Sequence, residues 1–213
     1  MFKSVDDLIQ RLEQAGYYLA QEAATVIYLA WQMKKPLLVE GPAGVGKTEL
    51  AKMLAQVSQR ELIRLQCYEG LDESKALYEW DYQKQLLWIQ ANLGNSLNWS
   101  KAKTTLYTTE FLLERPLLKA LLAPQEAILL IDELDKSDEE FESFLLETLS
   151  EYQVTIPEFG TIKANSIPSI IITSNNAREF SEALRRRCFH LYLDYPSPEL
   201  EFTIVRSKIP HIE

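Results

Sequence analysis

Cysteine and histidine are nearly missing from this chain: Cys67 and Cys188, His190 and His211 are all there is of either in 213 residues. Two cysteines cannot build a disulfide framework or a four-ligand zinc site, and two isolated histidines add little to either. Both thiols are therefore expected in the core. A basic excess is missing too, with 22 Lys and Arg against 31 Asp and Glu, a net charge of -9 and a pI near 4.9. Such a field repels polyphosphate backbones, and the one obvious basic cluster is Arg185-Arg186-Arg187, so a nucleic-acid partner is disfavoured. No stretch stays apolar for the ~20 residues that a membrane span needs. The first residues, MFKSVDDLIQRLEQAG, carry no long apolar run behind a basic start. A cytoplasmic, reducing location without a membrane span is expected. Repeats, low-complexity segments and interdomain linkers are also lacking. What remains is the composition of one folded domain, 46% hydrophobic and long enough to bury a sizeable core.

Hydrophobic periodicity divides the chain into alternating elements. Val5, Leu8, Ile9 and Leu12 fall at helical spacing over residues 4–15, Ser4 and Asp7 fit a capping box, and the helix ends near Gly16. A second helix is predicted from Gln21 to Met33, broken by Pro36, and Leu37 to Val39 reads as a short strand. After a glycine-rich loop, Glu49 to Val57 reads as a helix with Leu50, Met53, Leu54 and Val57 inward, and Leu62 to Leu65 as a strand. Residues 74–122 are expected to be mostly helical, with turn residues around Gly94, Asn95 and Asn98. Ala127 to Ile131 is an uninterrupted apolar run, the mark of a parallel strand buried on both faces. A helix from Glu139 to Leu149 follows, then two short strands, Gln153 to Ile156 and Gly160 to Lys163, and a buried strand from Ser169 to Thr173. This order predicts an α/β fold: a three-layer αβα domain with a mostly parallel central sheet, one hairpin insertion and a helical insertion.

Three segments carry chemistry. Gly41-Pro42-Ala43-Gly44-Val45-Gly46-Lys47-Thr48 fits G-x-x-x-x-G-K-[ST] between a predicted strand and a predicted helix. Glycines let backbone N–H groups converge on phosphate oxygens, Lys47 can bridge the outer phosphates and Thr48 can ligate magnesium. A chance glycine turn accounts for neither flanking element. The nucleotide-contacting set is Gly41 through Thr48 with Glu49 and Asp132. Asp132-Glu133 ends the buried strand, at the edge where open α/β sheets bind ligands. Asp132 would hold magnesium through its hydration shell, and Glu133 would orient the attacking water. The plainer reading is acidic decoration at the start of a helix. Ser174, Asn175 and Asn176 follow the third strand. An amide there, Asn175 before Asn176, can sense a terminal phosphate, the competing reading being a polar turn. Arg185, Arg186 and Arg187 read equally well as a solvated helix end.

Taken in order, GPAGVGKT, AILLIDELDK, EYQVTIPEFGTIKA ahead of the sensor strand and IIITSNNAREFSEALRRRC resemble the AAA+ ATPases, specifically the MoxR-like branch, over nearly the whole chain. The resemblance implies a P-loop NTPase large subdomain across residues 1–213, ATP and Mg2+ as ligands, and catalytic roles for Lys47, Glu133 and Asn175. It implies a homo-oligomeric ring, usually a hexamer, in which a neighbour supplies an arginine, Arg187 first and Arg186 second. Tyr68-Glu69-Gly70-Leu71 matches a central-pore loop, and residues 92–122 match the helical insertion of the branch. Tyr17 or Tyr18 falls near the adenine by family position. Members commonly act as maturation chaperones on a client protein complex, often with a von Willebrand A-domain partner. One group is linked to assembly of molybdenum-containing carbon monoxide dehydrogenase. The family's C-terminal helical lid, with its second sensor arginine, would begin at Arg206 to Glu213, so the lid is expected to be absent after about residue 205.

Other classes fit less well. A slow or non-hydrolysing ATP-dependent switch has the intact Glu133 against it and the absent lid for it. A DNA-acting motor meets the acidic balance, and a GTPase would carry an Asn-Lys-x-Asp signature that the chain lacks. The aromatics Tyr78, Trp80, Tyr82, Trp88 and Trp99 read as packing or interface residues before a ligand box.

Overall fold

The computed structural model describes residues 2–92, 99–157 and 159–208. Helix α1, Val5–Gln14, starts where Ser4 Oγ accepts the Asp7 N–H. The box closes differently from expectation, because the Asp7 carboxylate accepts the Lys3 N–H and the Arg11 Nε–H. Helix α2, Gln21–Gln32, leads to strand β1, Leu37–Glu40, and helix α3, Lys47–Ser58, to strand β2, Leu62–Gln66. Helix α3 starts inside the glycine loop, two residues earlier than its hydrophobic pattern does.

Residues 74–122 are mostly helical, as expected, with one short strand pair added. A single turn, Glu73–Ala76, precedes an antiparallel pair of short strands, Tyr78–Trp80 with Leu112–Glu114, and this ladder brackets helices α4, Tyr82–Asn92, and α5, Trp99–Leu106. Three residues are too short a run for a strand period to be separated from a helical one. Trp80 lies buried in this ladder, edge-on to Tyr78 and Tyr107, while Tyr82 stands in solvent and Trp88 is partly buried. The turn expected around Gly94, Asn95 and Asn98 and the side chain of Trp99 lie outside the described residues.

Helix α6, Pro116–Leu122, strand β3, Ile128–Asp132, and helix α7, Glu139–Glu151, come next. The Gln153–Ile156 and Gly160–Lys163 hairpin forms with the predicted limits. Strand β4, Ser169–Ser174, the turn Glu182–Arg185, strand β5, Phe189–Tyr192, and helix α8, Pro198–Lys208, complete the order. No described helix is long and apolar enough to cross a membrane.

The central sheet runs β2-β3-β4-β1-β5, every pair parallel. Side-chain alternation sorts its residues onto two faces. Ile128, Leu130, Ile171, Leu37 and Val39 pack with α1, α2 and α3; Leu129, Ile131, Ile170, Ile172 and Leu38 pack with α6, α7 and the hairpin. The three inner strands are buried almost throughout, whereas the edge strands β2 and β5 alternate. The sequence reading omits β5 for that reason: only Leu191 of its four residues is buried, so it lacks the apolar run of an inner strand. Cys67 is buried and Cys188 partly so, and burial pushes both thiols up to about 12.

Candidate functional site

Strand order decides which polar residues meet. With β3 between β2 and β4, the carboxyl ends of β1, β3 and β4 deliver the glycine loop, Asp132-Glu133 and Asn175 to one sheet edge. Ala43, Gly44, Gly46, Lys47, Thr48, Glu49, Lys52, Glu133, Thr173 and Asn175 line a single open cleft there. Sequence-distant positions chosen for chemistry are thus neighbours; the arginine cluster is not among them.

The loop can follow its path only with glycine at two of its positions in particular. Gly41 has φ +151, and a Cβ there would stand 2.0 Å from the Leu193 carbonyl oxygen. Gly46 has φ +92 and its carbonyl accepts from Tyr17 Oη at 3.2 Å. Tyr17, and not Tyr18, thereby closes the loop from outside, and its burial raises the phenol well above its ordinary 10. Inside the loop, Lys47 Nζ donates to the carbonyls of Gly41 at 2.7 Å and Pro42 at 2.6 Å. Burial pulls that ammonium below its ordinary 10.5, against the opposing pull of Asp135, Glu133 and Asp132.

Asp132 is 1% exposed and fully engaged. Its Oδ1 accepts the Thr48 hydroxyl at 2.9 Å and the Thr173 hydroxyl at 2.6 Å; its Oδ2 accepts Arg64 Nε at 3.0 Å and Nη2 at 2.6 Å. Thr173 in turn accepts the Glu133 N–H at 2.8 Å. A hydroxyl beside a carboxylate, both hard oxygen donors, at the mouth of the glycine loop fits a magnesium ion that keeps most of its waters. Thr48 and Asp132 are the residues that would hold it.

Glu133 sits in a left-handed backbone conformation, φ 57 and ψ 50, which a residue with a Cβ adopts at a cost of about 1 kcal/mol or more. Its Oε2 accepts Lys136 Nζ and Gln66 Nε2, both at 2.8 Å, and its Oε1 accepts Asn175 Nδ2 at 3.3 Å. The Lys136 bond, chief among these, holds the Glu133 carboxyl below its ordinary 4.5. Asn175 is itself fixed: Asp135 Oδ2 accepts the N–H groups of Asn175 and Ala177, each at 3.1 Å.

The sequence reading misses Arg64, Gln66, Lys136, Asp135 and Thr173. Arg64 and Gln66 carry a signal in retrospect, being polar residues on one face of the strand next to β3, with Gln66 in register with Asp132. The arginines lie apart from this cleft. Arg185 and Arg186 are exposed, Arg185 standing 3.9 Å from Glu40; Arg187 donates to Ser150 Oγ and, at 2.9 Å, to the Ala183 carbonyl. Tyr68 of the proposed pore segment is exposed, whereas Leu71 is buried.

No curated protein is similar enough to count as a match. Among solved structures, a chain from Cytophaga hutchinsonii, provisionally described as an ATPase, is similar with a TM-score of 0.61 at 18% identity. That likeness is one of fold. It covers 98% of this chain and 55% of the other, so this chain spans about half the length of that structure. The family described as AAA domain (dynein-related subfamily) matches residues 36–188, from just before β1 through the arginine cluster. With loop, acidic pair and sensor strand all inside that match, the chain belongs to the AAA domain family, dynein-related subfamily.

Proposed function

We propose that residues 1–213 are the nucleotide-binding core of a MoxR-like AAA+ ATPase that binds Mg-ATP, hydrolyses it and uses the energy to remodel or mature a partner protein complex. The observation that carries this reading is the hydrogen-bonded line Thr48–Asp132–Thr173–Glu133–Asn175, which joins three segments at one sheet edge. Each residue on it has a task. The loop from Gly41 to Thr48 and the first turn at Glu49 cradle the phosphates, and Lys47 can exchange its carbonyl partners for phosphate oxygens. Thr48 and, through water, Asp132 would hold magnesium, which would supply positive charge to the phosphate oxygens. Glu133, its carboxylate kept ionised by Lys136, accepts a hydrogen bond from the attacking water and aligns it for in-line displacement. Asn175 fixes the position of that carboxylate and presents its amide toward the terminal phosphate.

No arginine of Arg185 to Arg187 touches its own cleft, which supports a site completed by a neighbouring copy in a ring such as a hexamer, with Arg187 and then Arg186 as the donor. In such a ring the exposed Tyr68 belongs to the pore segment. The MoxR-like motifs favour a client complex, a von Willebrand A-domain partner and, within the branch, the chaperones of carbon monoxide dehydrogenase. A cytoplasmic setting belongs to the same reading.

A second reading has one specific observation in its favour. Three donors already occupy the Glu133 carboxylate, as suits a binding switch that turns over slowly. Steady-state ATP hydrolysis with magnesium across protein concentrations separates the two. Turnover that rises with concentration and is lost in Glu133→Gln supports the ring ATPase. ATP binding with no turnover in either protein leaves the switch.

A further inference from the structure

We infer that Arg64 is a built-in counter-cation on Asp132, one that a hydrated divalent ion must displace when it binds; the inference rests on the reading of Asp132 as the metal-facing carboxylate. Asp132 is 1% exposed, and a carboxylate charge removed from water costs several kcal/mol unless a partner of opposite charge offsets it. The two threonine hydroxyls on Oδ1 bring no formal charge. Arg64 does, and its planar fork sets Nε and Nη2 on the same Oδ2 at 3.0 and 2.6 Å.

That position is also the one a metal ion needs. Magnesium that reaches a carboxylate through its own waters requires free acceptor lone pairs, and those of Oδ2 are taken by guanidinium N–H groups. A divalent ion and a guanidinium on one carboxylate would also repel each other. The two partners differ in freedom. Asp132 is fixed in β3, an inner strand paired on both sides, whereas the Arg64 side chain rises from the edge strand β2 and is 49% exposed. Arg64 can therefore move into water while Asp132 stays. Its Nη2 also donates to Gln66 Oε1, and Gln66 Nε2 donates to Glu133, so the departing guanidinium has a waiting partner beside the second acid. Arrival of the metal and release of Arg64 form one exchange, which keeps the buried acid neutralised at every stage and sets the metal affinity below what the oxygens alone would give.

A guanidinium that merely braced Asp132 would have the opposite signature, since its loss would weaken metal binding. The test uses Mn2+ as probe, titrated into the full chain with ADP and followed by loss of the free-ion EPR signal. Arg64→Met is expected to bind Mn2+ roughly five-fold tighter than the native chain, the effect of relieving one partly solvated charge. Arg64→Lys, charged but without the fork, is expected in between. Equal or weaker Mn2+ binding by a folded Arg64→Met overturns the inference. If circular dichroism shows that variant unfolded, Arg64→Lys decides alone by the same criterion. Failure of the native chain to bind Mn2+ with ADP, or undiminished binding by Asp132→Asn, overturns instead the assignment of Asp132 beneath it.

Discussion

The Thr48 hydroxyl donates to Asp132 Oδ1 across 2.9 Å, joining the first turn of α3 to the end of β3 over 84 positions of sequence. Thr48→Val keeps the shape of the side chain and removes this bond. A hydrogen bond to a charged acceptor contributes about 1.5–3 kcal/mol, and Thr173 and Arg64 remain on the carboxylate. A stability loss near the lower figure is expected in urea titration. If the hydroxyl ligates magnesium, nucleotide affinity should fall roughly ten-fold in magnesium and little in its absence. Thr48→Ser should restore both, and equal losses with and without magnesium would remove Thr48 from the metal.

Gly41 and Gly44 separate steric from conformational demand. At Gly41 a methyl group would meet backbone, the Leu193 carbonyl at 2.0 Å, which cannot swing aside as a side chain would. At Gly44 nothing lies within 4 Å, and only the positive φ of +88 opposes a side chain. Gly44→Ala should therefore cost about 1 kcal/mol and Gly41→Ala several times that. Thermal unfolding of the two variants checks the order. The same contact ties the loop to the residue after β5, so loss of nucleotide binding should accompany the larger cost.

Lys136 and Glu133 make a claim about pH. The Lys136 ammonium is the largest cause holding the Glu133 carboxyl below 4.5 in the folded chain. A depressed carboxyl contributes stability that is present above its unfolded value and is lost as pH falls through the folded one. In Lys136→Met the carboxyl should titrate closer to 4.5, read directly by NMR of the side-chain carbon. The stability change should be small, because the Lys136 ammonium is solvated and the Glu133 carboxylate partly so. A midpoint that does not move would assign the depression to Asn175 and Gln66 instead.

These residues also mark where sequence reading stops. The glycine loop, the Asp132-Glu133 pair and the 153–163 hairpin are local patterns, each complete within a dozen positions or so, and all three stand where the periodicity puts them. Arg64 and Gln66 matter because β2 lies beside β3 in one register, and no local pattern carries that register. The edge strand β5 hides for a related reason, since a strand paired on one side needs only one buried residue in four. Fold class survives such gaps; the surroundings of Glu133 do not, because Gln66, Lys136 and Asn175 come from three different elements.

Glu142 and Arg178 extend the argument beyond the cleft. Glu142 on α7 is 3% exposed; its Oε2 accepts Arg178 Nη1 at 2.7 Å and its Oε1 accepts the Ser181 N–H at 2.9 Å. Burial opposes the charge on Glu142 most strongly, yet the Ser181 and Arg178 donors outweigh it and the carboxyl ends below 4.5. Glu142→Ala would strand the guanidinium, which also donates to the Ser137 carbonyl at 3.1 Å and has Nη2 buried without a hydrogen-bond partner among the described residues. Breaking one side of such a pair costs about 3–5 kcal/mol, whereas replacing both sides by apolar residues costs far less. The double variant Glu142→Leu with Arg178→Met should therefore be more stable than Glu142→Ala, and chemical denaturation of the set tests that inversion. The pair also holds the segment after Asn175 against α7, while Asp135 holds Asn175 and Ala177 from the other side. If Asn175 positions Glu133, the double variant should recover stability but not ATP turnover, since apolar contact restores burial without restoring the direction of the chain. Turnover that returns together with stability would reduce the pair to packing.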